Sequence, residues 1–586
     1  MTTSNSEKSV YILGISCFYH DAAATLIRDG EIVAAAAEER FTRKKHDNSF
    51  PTNAIKYCLE SQRITAKDLT YVGFYEKPLL KFERALFQHI SFFPRTLKSF
   101  VVTTPFTVTN KLRLRKVLKK EIGYRGDVIY IKHHLSHAAS SFYPSPFTEA
   151  AVLVADGVGE FATTSFGTGT GNELKMKGEI DFPNSLGLLY STITAYLGFA
   201  VNNDEFKVMG LSAYGDTNPK TNIYYPKMKK LILQSADGSY SLDMTYFSFQ
   251  YGERMPSTKM LELFGGPIRK PGEKLTQTHK DIAAALQMVT EEVILSILNH
   301  VQKVTGLKNV VLAGGVALNS VCNSKILAEM KFKDVWINPD PGDGGASMGV
   351  ALYINHSLLG NKRRPFETTY LGPEFASDEI REILEKKGLQ YVYFENEEKL
   401  METAAKLIAD SNVIGWFQGR MEWGPRALGN RSILANPGNP KMQDILNKKV
   451  KHREEFRPFA PAVCDDNLNN FFVQKYLSNN LSRFMLTVAK VKNDWWAKLP
   501  AITHIDKTAR VQTVSRDENE LFYDLIKELG KQTEMPVVIN TSFNLNGEPI
   551  VCNPEDALKT FFATEIDYLF LGDFLLSKHN AKIREE

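Results

Sequence analysis

The sequence predicts an α/β protein whose N-terminal domain is a duplicated unit and whose C-terminal domain is a separate α/β unit. Apolar strand-like segments alternate with helix-like segments along the chain, as is typical of α/β folds. One plan, a buried strand followed by a polar turn and a hairpin, occurs in the first 40 residues and again at residues 150 to 180. Since a domain core usually contains about 150 residues, a chain of 586 residues requires several cores.

The two copies of this plan differ in sequence but agree in order. In the first copy YILGIS is the strand, FYHDAA the polar turn, and Asp29-Gly30 the tip of the hairpin. In the second copy AAVLVA is the strand, Asp156-Gly157-Val158-Gly159 the turn, and TTSFGTGTGNELKMKGEI the hairpin. Helical segments follow, among them TNAIKYCLES and HKDIAAALQMVTEEVILSILNHVQKV. We therefore expect two similar halves with a ligand-binding cleft between them.

Two glycine clusters follow the second copy. In VVLAGGVALNSVCN, Gly314-Gly315 follows an apolar strand, and in NPDPGDGGASMGVA, Asp343 precedes Gly344-Gly345 at a helix start. Such glycines let backbone N–H groups approach a nucleotide, although turn chemistry explains each cluster taken singly. In this order, over residues 10–355, the motifs resemble the phosphate, adenosine and connecting motifs of the actin, sugar-kinase and Hsp70 superfamily. The G-x-G-x-G at 167–171 lies within a hairpin, so it is not interpreted as a Rossmann fingerprint.

The stretch IKHHLSHAAS places His133, His134 and His137 within five positions, although the chain has only 12 histidines. His133 and His137 are four apart and leave the same face of a helix. With Asp156 and Asp343 they give two imidazoles and two carboxylates, a set that favours a divalent transition metal, iron foremost with zinc or manganese as alternatives. Such a site is similar to that of the superfamily branch that modifies tRNA with threonylcarbamoyl groups. Two alternatives stay open: the pair His134 and His137, and an exposed helix start without a metal.

Bulk composition argues against several classes of partner. Lys and Arg total 71 against 67 Asp and Glu, an excess too small to predict a nucleic-acid or membrane surface, so any basic site must be local. Five scattered cysteines without a C-x-x-C pair suit a reducing compartment. No apolar run approaches the ~18 residues of a membrane span. We expect a cytoplasmic protein without a nucleic-acid or membrane partner, and a homodimer is left open.

Residues 356–376 mix charge, glycine and proline, and we place a domain boundary there, with one domain at 1–360 and another at 361–586. The second domain carries polar residues among apolar and aromatic ones: Arg420, Arg426, Arg431, Lys451, Arg457, Arg510, Ser542 and Asn544. Buried cations are unfavourable without anions, so phosphates or carboxylates are their expected partners. For residues 449–457 a solvated charged face is the alternative, but aromatic and proline residues interrupt it. No P-loop sequence is present.

Together these motifs resemble the O-carbamoyltransferase family that includes the nodulation-factor, cephamycin and tobramycin carbamoyltransferases. The likeness spans nearly the whole chain, from H-D-A at 20–22 through E-E-R-F-T-R-K-K-H-D at 38–47 to S-F-N at 542–544. It implies an N-terminal actin- or sugar-kinase-like transfer domain and a C-terminal domain similar to threonylcarbamoyl-adenylate synthases. In such synthases a lysine, an arginine and an S-x-N motif bind carboxylate and phosphates. The matching residues here are Lys451, Arg457, Ser542 and Asn544.

The resemblance implies two reactions. In the C-terminal domain carbamoyl phosphate and ATP, with its magnesium, give carbamoyl-adenylate. In the N-terminal domain the carbamoyl group passes to a hydroxyl of a small molecule, a secondary metabolite or a sugar, at the metal site. His20 is the candidate base and Lys45 the candidate for holding carbonyl or phosphate oxygens, although His20 is also explained as a hydrogen-bonded turn residue. The residues implied in nucleotide binding are Gly157, Gly159, Gly314, Gly315, Asn319, Gly344, Arg426 and Arg510.

Two other functions stay open on the sequence. A kinase of the superfamily explains the glycine motifs but leaves the C-terminal cations without a role. A non-catalytic ATP-binding module is the second. The aromatic and basic stretch 75–125 covers the acceptor cleft in one interpretation and forms a packing or dimer surface in another.

Overall fold

The computed structural model describes residues 9–252 and 254–578. Its first sheet has the order β3-β2-β1-β4-β5. The strands are β1 (Tyr11–Ser16), β2 (Ala23–Arg28), β3 (Glu31–Ala37), β4 (Tyr71–Phe74) and β5 (Val128–Tyr130). The first three are antiparallel, while β4 and β5 run parallel to β1. Asp29 and Gly30 both have positive φ, 50° and 86°, as the predicted tight turn between β2 and β3 requires.

Six helices accompany this sheet. They are α1 (Glu39–Thr42), α2 (Thr52–Ser61), α3 (Pro78–Ser91), α4 (Leu97–Thr109), α5 (Leu114–Ile122) and α6 (His133–Phe142). α2 buries one apolar stripe, Ala54, Ile55, Cys58 and Leu59, as a helix lying on a sheet does. α6 differs because it is buried along almost its whole length, histidines included.

The second half repeats the topology of the first. Its sheet has the order β8-β7-β6-β11-β12, with three antiparallel strands followed by two that run parallel to β6. The strands are β6 (Glu149–Ala155), β7 (Ala162–Thr170), β8 (Glu173–Asp181), β9 (Ile232–Gln234), β10 (Tyr240–Leu242), β11 (Asn309–Ala313) and β12 (Asp334–Ile337), of which β9 and β10 form a separate ribbon. The helices are α7 (Leu186–Tyr196), α8 (Glu205–Ser212), α9 (Tyr225–Lys229), α10 (Thr258–Phe264), α11 (Gln277–Thr305), α12 (Ser320–Glu329) and α13 (Asp343–Tyr353). The predicted duplication is confirmed.

Two buried helices, α6 and α13, pack against each other at the junction of the halves. Gly349 of α13 lies against the backbone of α6, and a Cβ atom at Gly349 would be 1.8 Å from the carbonyl oxygen of Ser136. Gly14 of β1 approaches α13 equally closely, since its Cβ would be 1.9 Å from the oxygen of Ser347. These close approaches fix how the first turns of α6 and α13 face each other.

The C-terminal part is a mixed α/β unit built on one eight-stranded sheet, of order β13-β22-β21-β14-β15-β20-β16-β19, with β17 and β18 as a separate ribbon. The strands are β13 (Val392–Tyr393), β14 (Ile414–Phe417), β15 (Arg431–Ala435), β16 (Ala460–Cys464), β17 (Val488–Lys490), β18 (Thr508–Arg510), β19 (Gln512–Val514), β20 (Val537–Ser542), β21 (Tyr568–Leu571) and β22 (Phe574–Ser577). The helices are α14 (Ser377–Lys386), α15 (Glu397–Ala409), α16 (Met442–Ile445), α17 (Leu468–Phe471), α18 (Asn479–Ser482), α19 (Glu520–Thr533) and α20 (Pro554–Ala563). A search of the described residues for a helix both long and apolar enough to cross a membrane finds none.

Candidate functional site

Four side chains predicted as metal ligands meet where α6 and α13 begin. His133 is the first residue of α6 and His137 lies one turn later. Asp343 is the first residue of α13, and Asp156 directly follows β6. All four are buried, and the His133 and His137 residues are 1% and 0% exposed. An exposed helix start is therefore excluded, and we call His133, His137, Asp156 and Asp343 the four-residue cluster.

The donor atoms of the four-residue cluster converge on one point. His133 Nε2 lies 3.1 Å from His137 Nε2 and 3.2 Å from Asp156 Oδ2. Asp343 Oδ1 lies 3.3 Å from His137 Nε2 and 3.5 Å from His133 Nε2. Within the described chain, neither carboxylate oxygen of Asp343 has a hydrogen-bond partner. Since buried polar atoms are normally paired, a bound cation is the partner that fits this arrangement.

The electrostatics of the cluster also suit a cation. Although burial acts against the charged form, the Asp343 and Asp156 carboxylates raise the pKa of His133. Burial would raise the pKa of Asp156, but the hydrogen bond of His133 and the charge of His137 hold it well below its ordinary value. The field that favours a proton on His133 equally favours a metal ion, which competes with protons for such ligands. Two nitrogen and two oxygen donors fit a transition metal better than calcium or magnesium.

Neighbouring residues hold the cluster in place. The backbone N–H of His133 donates to both oxygens of Glu160, at 3.0 and 3.1 Å, where a carboxylate favours the start of α6. The ring of Tyr75 contacts that of His133 edge-on, with centroids 5.2 Å apart. Gly315, predicted for nucleotide binding, donates its N–H to Asp156 Oδ1 at 3.0 Å. Sequence reasoning missed Glu160, although an acidic residue directly after the D-G-x-G turn was the available signal.

The alternative histidine pair is separated in the structure. His134 places its Nδ1 2.7 Å from the Ser165 hydroxyl, and its ring centroid lies 6.5 Å from that of His137, against 4.5 Å between His133 and His137. Burial, together with His133, lowers the pKa of His134 to about 3. His134 is therefore a neutral side chain held by a hydroxyl, and the cluster is built by His133 and His137.

A hydrogen-bonded chain joins His20 to His46 beside the cluster. His20 Nδ1 lies 2.8 Å from Asp21 Oδ2, and Asp21 Oδ1 lies 2.7 Å from His46 Nδ1. His20 Nε2 is 4.0 Å from Asp343 Oδ2. Although burial acts in the opposite direction, Asp343 and Asp21 raise the pKa of His20 to about 10. Asp21 and His46 lie inside the motifs on which the family resemblance rests, yet sequence reasoning gave them no role.

The glycines predicted for nucleotide binding have different structural reasons. Gly314 has a φ of 86°, and a Cβ there would lie 2.3 Å from the carbonyl oxygen of Ala155. A Cβ at Gly344 would lie 2.3 Å from an Asp340 carboxylate oxygen. At Gly314 the clash is with backbone and φ is positive, so glycine is required there, whereas at Gly344 the neighbour is the end of the Asp340 side chain, which can turn away.

The other residues predicted to contact the nucleotide lie in different surroundings. Gly159 packs against the cluster, since its Cβ would lie 3.1 Å from His133 Cδ2. Gly157 faces open space. Asn319 is used within the fold, because its side chain caps α12 by accepting the N–H of Cys322 at 3.0 Å and exchanges hydrogen bonds with Gln287 at 2.9 and 3.0 Å.

In the C-terminal unit, Lys451 lies against the end of β20. Its Nζ donates to Asn544 Oδ1 at 2.8 Å and to the Ser542 hydroxyl at 3.3 Å, besides the carbonyl oxygens of both residues. The Ser542 hydroxyl in turn lies 2.6 Å from Asn544 Oδ1. The structure thus brings Lys451 to Ser542 and Asn544, which follow it by 91 and 93 positions, and Lys451 is only 2% exposed.

Around Lys451 lies a group of arginines that we call the cation cluster: Arg426, Arg453, Arg457 and Arg510 together with Lys451. Burial, and then Arg457, lowers the pKa of Arg426 to about 10. Burial lowers the pKa of Arg510 well below its usual value, and Arg426, Arg453 and Arg457 lower it further. Among the described residues, Arg426 Nε and Arg510 Nε have no hydrogen-bond partner. Neighbouring cations that repel one another, two of which carry a buried N–H group without a partner among the described residues, are suited to binding an anion.

Two other arginines correct the expectation that every buried cation of this region faces an anion. Arg431 donates to the backbone oxygens of Gln418 and Pro373 at 2.6 and 3.0 Å. Arg420 donates to the backbone oxygen of Leu371 at 3.0 Å. Both guanidinium groups bind carbonyl dipoles and tie loops together. Conversely, sequence reasoning missed Arg453, because a histidine and a glutamate beside it make the stretch look like an ordinary charged surface.

The aromatic ring of Phe206 lies between residues near the four-residue cluster and residues of the cation cluster. The Nζ of Lys45 lies 5.8 Å, and the guanidinium carbon of Arg457 4.8 Å, from the ring centroid of Phe206 in α8. Lys45 precedes His46, which leads through Asp21 to His20. A series of neighbouring side chains, joined at one step by the Lys45–His46 peptide bond, therefore leads from the cation cluster to the four-residue cluster.

Comparison with known proteins gives the class to which this fold and site belong. The family described as carbamoyltransferase N-terminus matches residues 11–352, and the family described as carbamoyltransferase C-terminus matches residues 405–578. The chain belongs to the carbamoyltransferase family and is a carbamoyl-transferring enzyme. The kinase and non-catalytic alternatives are set aside by this assignment.

Individual relatives support the assignment. The chain is 46% identical to an uncharacterized protein of Synechocystis sp., over 98% of each chain. It is 37% identical to the nodulation protein NolNO of Sinorhizobium fredii, over 96% of this chain and 80% of the relative. The solved structure of full-length HypF in the phosphate- and nucleotide-bound form is 15% identical and covers 60% of this chain and 56% of its own, with a TM-score of 0.30. That score is too low to support any inference.

Proposed function

We propose that this carbamoyltransferase is ATP-dependent and works in two stages at two places. Residues 361–586 form carbamoyl-adenylate at the cation cluster, and residues 1–360 transfer its carbamoyl group to a hydroxyl at the four-residue cluster. The observation that carries this proposal is the cation cluster, in which the buried Nε atoms of Arg426 and Arg510 have no partner among the described residues. A site of this kind is suited to several phosphate and carboxylate groups at once.

The first stage joins two anions. Carbamoyl phosphate reacts with water to give carbamate and phosphate, and a carbamate oxygen then bonds to the α-phosphorus of ATP while pyrophosphate leaves. Lys451, held by Ser542 and Asn544, and the surrounding arginines offset the repulsion between the reactants. Magnesium would accompany ATP, as is usual for triphosphates.

The second stage requires that a reactive intermediate reach the N-terminal half. Carbamoyl-adenylate is a mixed anhydride that water destroys, so a short interior route protects it. The contacts of Lys45 and Arg457 with the Phe206 ring support such a route between the two places. Along this route Lys45 would hold phosphate or carbonyl oxygens.

At the four-residue cluster the acceptor oxygen bonds to the carbamoyl carbon, its proton passes to Nε2 of His20, and AMP leaves. Asp21 orients the His20 ring through its hydrogen bond to Nδ1. Because Asp343 is a main cause of the raised pKa of His20, that histidine can accept a proton at neutral pH only when the charge of Asp343 is offset.

The metal that fits the four-residue cluster is a divalent transition metal, iron foremost, with zinc and manganese as alternatives. His133, His137, Asp156 and Asp343 would hold it. When bound, such an ion stabilises negative charge on neighbouring oxygens. The acceptor in this proposal is a small molecule with a free hydroxyl, a secondary metabolite or sugar, as membership of the carbamoyltransferase family and the resemblance to O-carbamoyltransferases imply.

Product analysis tests the proposal. The protein is incubated with ATP, carbamoyl phosphate and a panel of hydroxylated small molecules, and nucleotides and products are measured by mass spectrometry. We expect AMP and pyrophosphate that depend on carbamoyl phosphate, and an acceptor heavier by one carbamoyl group. Formation of ADP, or of AMP at the same rate without carbamoyl phosphate, would contradict the proposed first stage.

A further inference from the structure

Helix α4 is apolar but exposed. Its sequence LKSFVVTTPFTVT contains one charged residue, yet no side chain described in this helix is buried. Val101 and Val102 are 62% and 70% exposed. Seven of its 13 residues are Leu, Phe, Val or Pro, and a helix rich in such residues normally buries them in a protein core or in lipid. Its exposed side chains therefore require something else to cover them.

The apolar surface extends beyond α4. Half of the large apolar side chains that are exposed in the described chain lie between residues 79 and 106: Leu79, Phe87, Ile90, Phe93, Leu97, Val101, Val102 and Phe106. We call these eight residues the apolar surface. Scattered exposed apolar residues are ordinary, but such a concentration on two consecutive helices marks an interaction site.

The apolar surface is set in a strongly basic segment. From residue 77 to residue 120 there are eleven Lys and Arg residues and a single acidic residue, Glu83, although the whole chain has a net charge of only +4. Lys81 and Lys111 are buried and paired with Glu76. Most of the others are exposed, among them Lys77, Arg95, Arg113, Lys116 and Lys119, while the exposed Arg115 and Lys120 pair with Asp127 and Glu121. The partner that covers this segment should therefore combine apolar and anionic character.

We propose that α3 and α4 dock this protein onto the surface of an anionic lipid bilayer. Apolar and aromatic side chains enter the boundary between headgroups and acyl chains, while lysines and arginines pair with anionic headgroups. At ~1.5 Å per residue, the 13 residues of α4 extend ~20 Å, less than the ~30 Å of a bilayer core, so α4 lies in the interface.

A second copy of the chain is a less suitable occupant. A symmetric dimer would place this surface against its own copy, so that one basic segment would face the other. An anionic bilayer offers the opposite charge over the whole segment. Bulk charge alone gave no reason to expect a membrane partner, because acidic residues elsewhere in the chain mask the local excess.

The apolar surface adjoins the turn that carries His20. Phe106 of α4 contacts Phe18 edge-on, with ring centroids 5.8 Å apart, and Lys81 of α3 lies 4.7 Å from the ring centroid of Tyr19. Docking would therefore place the turn between β1 and β2 beside the lipid surface. The docking inference does not depend on the proposed reaction.

Vesicle sedimentation of the full chain tests the inference. The probes are vesicles of phosphatidylcholine alone and of phosphatidylcholine with phosphatidylglycerol. The variant is Val101→Asp with Val102→Asp, and the matched control is Ile223→Asp with Leu233→Asp, since these residues are 66% and 61% exposed but lie elsewhere. Unchanged thermal unfolding of the metal-free proteins shows that both variants fold.

We expect wild type and control to bind the phosphatidylglycerol vesicles and to release them at high salt, with much weaker binding to phosphatidylcholine alone. Binding of the Val101/Val102 variant should fall about a hundredfold, since each valine that leaves the lipid costs about tenfold. Equal binding by variant and control, or no binding by wild type, would overturn the inference. The inference would also be overturned if wild type bound no vesicles but formed a concentration-dependent dimer that the Val101/Val102 variant, and not the control, abolishes.

A fluorescent label gives an independent measurement. All five native cysteines are buried, so Val102→Cys introduces an accessible thiol for an environment-sensitive dye. The emission of a dye at position 102 should shift to shorter wavelength when phosphatidylglycerol vesicles are added. The emission of the same dye attached to Ile223→Cys should stay unchanged. An unchanged spectrum at position 102 would contradict insertion of α4.

Discussion

Replacement of His137 by alanine is the most direct test of the four-residue cluster. His137 Nε2 is 3.1 Å from His133 Nε2 and 3.3 Å from Asp343 Oδ1, so the substitution removes one of four donors and leaves nothing that can take its place. Loss of a residue that only supports a ligand costs ~10- to 100-fold in metal affinity. Loss of the ligand itself should reach at least the upper figure.

This affinity change has a measurable size. At a free metal concentration one hundred times the wild-type Kd, a hundredfold weaker site falls from nearly full to about half occupancy, and the metal-dependent stabilisation falls from ~2.7 to ~0.4 kcal/mol. Elemental analysis and thermal unfolding with and without added iron, zinc or manganese measure both quantities. Transfer from supplied carbamoyl-adenylate should fall by about a hundredfold or more.

His134→Ala is the matched control, because His134 is also buried in α6 but bonds to Ser165 instead. It should retain the metal. Full metal content in a folded His137→Ala protein would refute the ligand assignment, and loss of metal from His134→Ala would transfer it to the other histidine pair. His137→Gln, which preserves volume better, guards against a mere packing defect.

Three further predictions concern other parts of the site. Lys451→Ala or Ser542→Ala should abolish ATP–pyrophosphate exchange while transfer from supplied carbamoyl-adenylate persists, and loss of both activities in a folded protein would count against two separate sites. Arg510→Gln should raise the KM for carbamoyl phosphate and ATP by ~100-fold or more, whereas Arg516→Gln, which alters an exposed arginine paired with acids, should leave it unchanged in steady-state kinetics. Burial, and then Asp21, raises the pKa of Asp340 to about 7. Between pH 3.8 and about 7 the folded protein therefore keeps a proton on Asp340, whereas the unfolded chain has released it. The free energy of unfolding should therefore fall as pH rises through this range, and denaturant titrations should show a shallower fall in Asp340→Asn.

Local patterns predicted much of the fold. The strands and the Asp29-Gly30 turn depend on neighbouring residues, so alternation and turn chemistry were sufficient to predict them. Repetition of one plan predicted two similar halves, and the two sheets indeed share one strand order. The four-residue cluster could be anticipated because His133, Asp156 and Asp343 stand at the end of a helix or strand, and His137 lies one helical turn after His133 on the same face.

Contacts between distant segments could not be predicted in the same way. The chain from His20 through Asp21 to His46 depends on how a turn and a later loop fold over each other. Arg453 and Arg431 are both flanked by polar residues, yet one joins the cation cluster and the other binds backbone oxygens. The residues next to each arginine in sequence do not distinguish these two roles. The tertiary fold determines which groups each guanidinium contacts.

The contact of Gly349 with Ser136 has a consequence for metal selectivity. A methyl group at Gly349 would have to move away from the Ser136 oxygen by roughly 1.5 Å to reach ordinary contact distance. That displacement would slide the helix bearing both histidines relative to the helix bearing Asp343. Ligand distances that define a metal site tolerate only ~0.2 Å. The choice among iron, zinc and manganese would thus depend on a residue that has no side chain and touches none of the ligands.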